Sequence, residues 1–141
     1  MYKICFVMLA SFMLAACSDQ PDPFSKNDQT RRWYTQSQVD QGRLIYRDNC
    51  SQCHGKRGQG APQWNKPDAQ GFYPPPPLNG TAHSWHHPLP MLQRTINEGS
   101  RGRMPAWKGK LDEQQINAVI AYFQSWWPDQ AYELWLKRHR R

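Results

Sequence analysis

Two thiols and an imidazole stand within one helical turn of each other in the stretch Cys50-Ser51-Gln52-Cys53-His54. The spacing Cys-x-x-Cys-His accompanies covalent attachment of a c-type haem. Positions three and four apart share a helix face. Both sulfurs can therefore form thioethers to one porphyrin edge while the His54 imidazole rises beneath the iron as its proximal ligand. Two other chemistries use parts of this pattern. A redox dithiol of the thioredoxin kind expects a neighbouring βαβ pattern with strand-like apolar runs, which this sequence does not show. A zinc site would combine Cys50 and Cys53 with two of His83, His86 and His87. Haem is the reading for which the rest of the chain supplies the remaining parts.

An electron-carrying haem iron needs a second axial ligand, usually methionine or histidine. Met104, in Arg103-Met104-Pro105-Ala106-Trp107, follows His54 by fifty residues and lies in a loop flanked by glycine and proline, where a side chain can reach the other haem face. Core filling, the common role of a methionine, does not explain one in so polar a loop. Met91 is its rival but falls on an expected helix. His83, His86 or His87 in place of Met104 would lower the potential, because thioether ligation favours the ferrous state. Otherwise these histidines line the haem periphery or lie at the surface, and one of them can bond a propionate. The indoles of Trp85 and Trp107 suit covering a porphyrin while donating to a propionate, although the seven tryptophans fit ordinary packing equally well.

The elements that position these groups occupy one domain's worth of chain, 141 residues. Residues 1–16 read as a signal segment: Lys3, then an apolar run too short to span a membrane. Its end, Leu14-Ala15-Ala16-Cys17, resembles the bacterial lipoprotein signal, with Cys17 as the acylated residue. An ordinary secretory peptide with an incidental cysteine is the alternative. Two or more acyl chains make a stable anchor. The four cysteines are then all assigned: Cys5 leaves with the signal, Cys17 carries lipid, Cys50 and Cys53 carry haem, and no disulfide is needed. Loss of Lys3 takes the formal charge from +7 to +6 (7 − 1). That moderately basic balance suits an acidic partner patch or anionic headgroups. The basic residues are too scattered for nucleic acid, apart from the solvated tail Lys137 to Arg141.

Residues 17–34 are polar with Pro21 and Pro23, and read as a flexible tether before a domain over 35–141. A helix is expected from Ser37, capped with Asp40, its stripe Val39, Gly42, Tyr46 and Cys50 running into the haem motif. Gly42 inside a helix costs up to about 1 kcal/mol and signals a second helix passing close. From Gly55 to Gly80 the density of glycine and proline excludes helix and sheet, predicting a loop around the haem edge. In so small a chain the porphyrin must supply much of the apolar centre, so the apoprotein is expected to be largely unfolded. A short helix is predicted over 89–97, begun by Pro88 and stopped by Gly99. A longer one follows, capped by Asp112 with Gln115, with Ile116, Val119, Ile120, Phe123 and Trp127 inward and Pro128 as its end. A last helix spans about 129–137, and a single Cys-x-x-Cys-His means one haem.

These residues resemble the class I cytochrome c family, in particular small bacterial monohaem cytochromes of the lipoprotein type. The resemblance covers roughly 37–127: the helix with Gly42 and Tyr46, the motif Cys50 to Gly55, the loop prolines, Met104-Pro105, and the final helix with Tyr122 and Phe123. It implies an all-α fold around one covalent haem c, with first and last helices crossing where Gly42 and Tyr46 meet Tyr122 or Phe123. It also implies a loop carbonyl orienting His54, for which Gly60-Ala61-Pro62 is the matching stretch. The expected function is a lipid-anchored cytochrome on the periplasmic side of a bacterial membrane, the outer one favoured by Ser18 after Cys17. It would carry single electrons between respiratory partners that dock transiently, with no catalytic constellation and no small-molecule substrate. Two alternatives stand beside it. One is an open-site haem protein with peroxidase-like or gas-sensing activity. The other is a tethered subunit of a larger oxidoreductase complex, with Trp135 and Leu136 as its interface.

Overall fold

Thr35 opens the first helix, where its hydroxyl accepts from Gln38 N and the Gln38 side chain accepts from Thr35 N, a reciprocal capping box. The computed structural model describes residues 31–100 and 103–139. The expected signal segment 1–16, Cys17 and the tether up to residue 30 lie outside the described residues. The architecture is all-α. Helix α1 runs Gln36–Asn49, α2 Ser51–His54, α3 Leu89–Glu98, α4 Glu113–Gln124 and α5 Asp129–His139, with a 3-10 turn at Ser84–His86 before α3. Among the described residues there is no strand, only isolated bridges at Ser100 with Met104 and Lys108 with Leu111.

The expected cap at Ser37 is corrected to Thr35, because a β-region residue with Gln three places on satisfies two helix-end donors that Ser37 and Asp40 leave alone. The Asp112–Gln115 capping box forms as the spacing predicts. Helix α4 ends at Gln124, before Pro128, with Ser125 N closing on Ala121 O at 2.9 Å.

α1 and α4 cross in backbone contact. A Cβ built on Gly42 would lie 1.9 Å from Ala118 O and 2.9 Å from Tyr122 Cβ. No residue larger than glycine fits there without moving α4. Tyr46, one turn on, packs edge to face against Tyr122 at 5.5 Å and Trp126 at 5.2 Å, so Tyr122 rather than Phe123 completes the crossing. The inward face of α4 is broader than its large apolar residues suggest, since Ala118, Ala121 and Gln124 are buried as well.

The two ends of the described residues close on one another. Residues 32–34, expected at the end of the tether, belong to the body: Trp33 and Tyr34 are buried. Trp33 N donates to Tyr132 Oη at 2.9 Å and Trp33 Nε1 to Gln124 Oε1 at 2.6 Å. Arg32 pairs with Asp129 at 2.6 Å and lies 3.9 Å over the Tyr132 ring. Trp135, proposed from sequence as an interface residue, is 0% exposed inside this cluster and cannot serve as one.

Gly42→Ala is expected to destabilise the haem-loaded protein by roughly 1–3 kcal/mol or more, whereas Leu44→Ala, exposed on the same helix, should stay within about 0.5 kcal/mol. Thermal melts of the two variants compare them, and equal melting temperatures would contradict the crossing.

Candidate haem site

Helix α1 delivers the motif with scarcely a break. Cys50 caps α1 through its N–H to Tyr46 O at 2.9 Å, and His54 N returns to Cys50 O at 2.9 Å, so 50–54 is a single further turn. It stops at Gly55, whose φ of 81° a side chain would resist, and Tyr46 Oη donates to Gly55 O at 2.8 Å. Cys50 is half-buried, Cys53 exposed and His54 buried. Burial, with Cys53 beside it, pushes the Cys50 thiol up to about 11. A redox dithiol requires the opposite shift, towards thiolate.

His54 Nδ1 lies 3.0 Å from the carbonyl oxygen of Pro76. Donation to that carbonyl leaves Nε2 as the atom with the free lone pair. Burial holds the imidazole below its ordinary range, opposed by the Pro76 bond, which favours the neutral form that a ligand must have. The orienting carbonyl is therefore Pro76 and not Gly60, Ala61 or Pro62. The two segments run side by side: Ala61 N donates to Pro75 O at 2.9 Å and Leu78 N to Gly58 O at 2.7 Å, while Gly60 N turns back to His54 O at 2.8 Å. Gly60 permits the approach, since a Cβ there would lie 2.5 Å from Pro77 N. Prolines donate no N–H of their own but keep their carbonyls free for partners.

Beside this wall is a cavity of about 880 Å³, at the upper end of the range for small-molecule and cofactor sites. Cys50, Cys53, His54, Met91 and Met104 all border it, with residues 71–78 on one side and Leu92, Ile96, Val119 and Phe123 of α3 and α4 on another. Met104 is half-buried against the core, whereas Met91 is 42% exposed. The Met104 loop is fastened by Ser100 N to Met104 O at 3.1 Å and Trp107 N to Ile96 O at 3.1 Å. An Arg103–Asp68 ion pair ties it to the loop carrying Phe72. Hydrogen bonds to Asp68 from Phe72 N and Gln70 N, with Arg103 alongside, hold its carboxyl below the ordinary range.

Trp107 borders the cavity as expected. Trp85 does not, packing instead on His86 at 3.9 Å between ring centroids, and Trp64, which the sequence did not single out, takes a place on the wall. Of the three histidines, His83 and His87 border the cavity and His86 is exposed. Among the described residues no three His, Cys, Asp or Glu side chains gather closely enough to hold a metal ion, which removes the support for the zinc arrangement. No described helix is long and apolar enough to cross a membrane.

Residues 37–123 match the family described as "Cytochrome C oxidase, cbb3-type, subunit III". The chain belongs to this family. Its cofactor is covalently bound haem c. Subunit FixP of the cbb3-type cytochrome c oxidase of Bradyrhizobium diazoefficiens is 33% identical over 96 residues, 68% of this chain and 29% of that protein. Subunit CcoP of Azospirillum sp. strain B510 is 33% identical over 84 residues, 60% of this chain and 27% of that protein. Subunit CcoP of Rhodobacter capsulatus is 31% identical over 93 residues, 60% and 28% of the two chains. The match thus spans less than a third of these relatives' length. No solved structure matches the chain.

The residues present fit a haem: a buried imidazole with one nitrogen already bonded, two thiols on the same turn, a loop carrying the Met104 thioether, and a largely apolar cavity touching all of them. Gly60→Ala should push the proline run away from His54. The expected result is about tenfold faster solvent exchange of the His54 Nδ1 proton by NMR, the factor that 1.4 kcal/mol represents. Unchanged exchange would show that Pro76 does not hold the ring.

Proposed function

We propose that the chain is a one-electron transfer domain working as a membrane-tethered subunit of an oxidase complex, with Cys50 and Cys53 as haem attachment sites and His54 and Met104 as axial ligands. The observation that carries this reading is the convergence of those four side chains on one cavity, with His54 Nδ1 already engaged by Pro76 O at 3.0 Å. When bound, the haem supplies reversible one-electron chemistry at its iron. The chain's residues hold the cofactor, exclude water from it and tune its potential: the Pro76 carbonyl raises His54 basicity, Met104 favours the ferrous state, and the apolar wall disfavours added positive charge.

The relatives are named as oxidase subunits, which favours a fixed neighbour over free shuttling between respiratory partners. The half-buried, fastened Met104 argues against an open site with peroxidase-like or gas-sensing activity. Cys17, as a lipidated residue on the periplasmic side of a membrane, is the proposed tether. Cys17→Ser should then move the protein from the membrane to the soluble periplasmic fraction, and persistence in the membrane would overturn the lipid anchor.

Absorption spectra of the exported protein test the site. The haem should stay attached under denaturing extraction, and the weak long-wavelength ferric band of thioether ligation should disappear in Met104→Ala with a lowered potential. A colourless protein, or a band that survives in Met104→Ala, would refute the assignment. Met104→Ala should also bind cyanide freely. Asp68→Asn, which removes only a half-exposed ion pair, should speed cyanide binding by less than about fivefold.

A further inference from the structure

Where residues 83–87 meet the cavity, the wall changes character. Ser84 borders it at 5% exposure, and Ser84 Oγ is buried with no hydrogen-bond partner. A buried hydroxyl without a partner costs about 1–3 kcal/mol, so this one points to a group that completes it. His83 and His87 border the cavity on either side of Ser84, in edge contact at 5.4 Å, and His83 stacks on Trp64 at 5.1 Å. Among the described residues that line the cavity there is no aspartate or glutamate. Polar hydrogens from a hydroxyl and two imidazoles are gathered at one place on the wall, without an aspartate or glutamate among the lining residues, an arrangement that suits an anion.

The turn is held in place from behind. Trp135 Nε1 of α5 donates to His87 O at 2.8 Å. His139, one turn further along α5, lies 6.0 Å from the Trp135 ring with a buried Nε2 that lacks a partner. The charged and titratable groups around His87 are His83 and His86 on its own turn and His139 on α5. Lys137 and Arg138 are exposed in the last turn of α5, and Arg103 on the cavity wall is paired with Asp68. Burial first, then His83, His86 and His139, holds His87 below its ordinary range. An anion beside it would oppose that effect.

We propose that residues 83–87 form the carboxylate end of the cavity, where Ser84 Oγ and the His83 and His87 imidazoles receive the propionate groups of the haem and Trp135 acts as a positioning residue. This rests on the placement of haem in this cavity given above. It has an electrical consequence. A protonated imidazole there is destabilised when the iron gains a positive charge, so its pKa is higher in the ferrous than in the ferric protein. Between those two pKa values the imidazole pair takes up a solvent proton, shared between them, as a protein donor delivers one electron, and releases it on reoxidation. The potential therefore falls as pH rises between the ferric and ferrous pKa values and is level outside them.

The test is a spectroelectrochemical titration of the haem-loaded full chain against pH. The wild type should show a bounded fall, His83→Gln or His87→Gln a reduced one, and the double variant a level line; glutamine keeps a donor but does not titrate. Ser84→Ala should retain the fall at a shifted midpoint, and Trp135→Phe should move the pH range in which it occurs. A level wild type, a fall that survives in the double variant, or an unchanged Trp135→Phe profile would overturn the proposal. Spectra of the same samples separate the two levels: attached haem with the thioether band intact and no pH dependence defeats only the propionate assignment, whereas absence of attached haem defeats the reading beneath it.

Discussion

The contact between Gly42 and the Ala118 carbonyl places everything else. Because the α1 backbone lies directly on α4, the end of α1 brings the 50–54 turn to the cavity that Val119 and Phe123 also line, residues that belong at once to the α4 core face and to the cavity wall. Tyr46 extends the same contact, with one side of its ring against Tyr122 and Trp126 and its hydroxyl on Gly55 O. A single close approach thus sets both the helix pair and the position at which the motif ends. The cost of a glycine in a helix interior is offset by the packing that only glycine allows.

The opposite wall has no regular structure, and its rigidity has another source. Residues 55–62 and 74–79 are joined by backbone hydrogen bonds from Ala61, Leu78 and Asn79, while proline limits the freedom of the second strip. The result is a carbonyl at Pro76 held for His54. The same wall is largely apolar where it borders the cavity, which matters because the potential of a haem responds to its ligands, to hydrogen bonds on those ligands and to burial.

The matched range 37–123 holds the crossing and the proposed ligands, but two flanking pieces complete this molecule. Residues 32–34 and α5 clasp each other through Trp33, Tyr132 and the Arg32–Asp129 pair, and α5 reaches the turn before α3 through Trp135. The clasp ties residues 32–34 and α5 to the rim of the cavity.

Local rules made much of this legible in the residues alone. The haem motif, the Asp112–Gln115 cap, the face of α4, the glycine at the crossing and the glycine- and proline-rich loop all depend on neighbours within a turn of one another, so spacing and residue type suffice to read them. Pro76 as the partner of His54, Trp64 in place of Trp85 on the cavity wall, the burial of Trp33 and Trp135, and the orphaned Ser84 Oγ depend on segments that meet across 20 to 100 residues of chain. Such meetings carry no period. They follow from how two irregular loops, residues 32–34 and α5 settle against the crossed helices, and only the folded backbone brings those atoms within hydrogen-bonding distance.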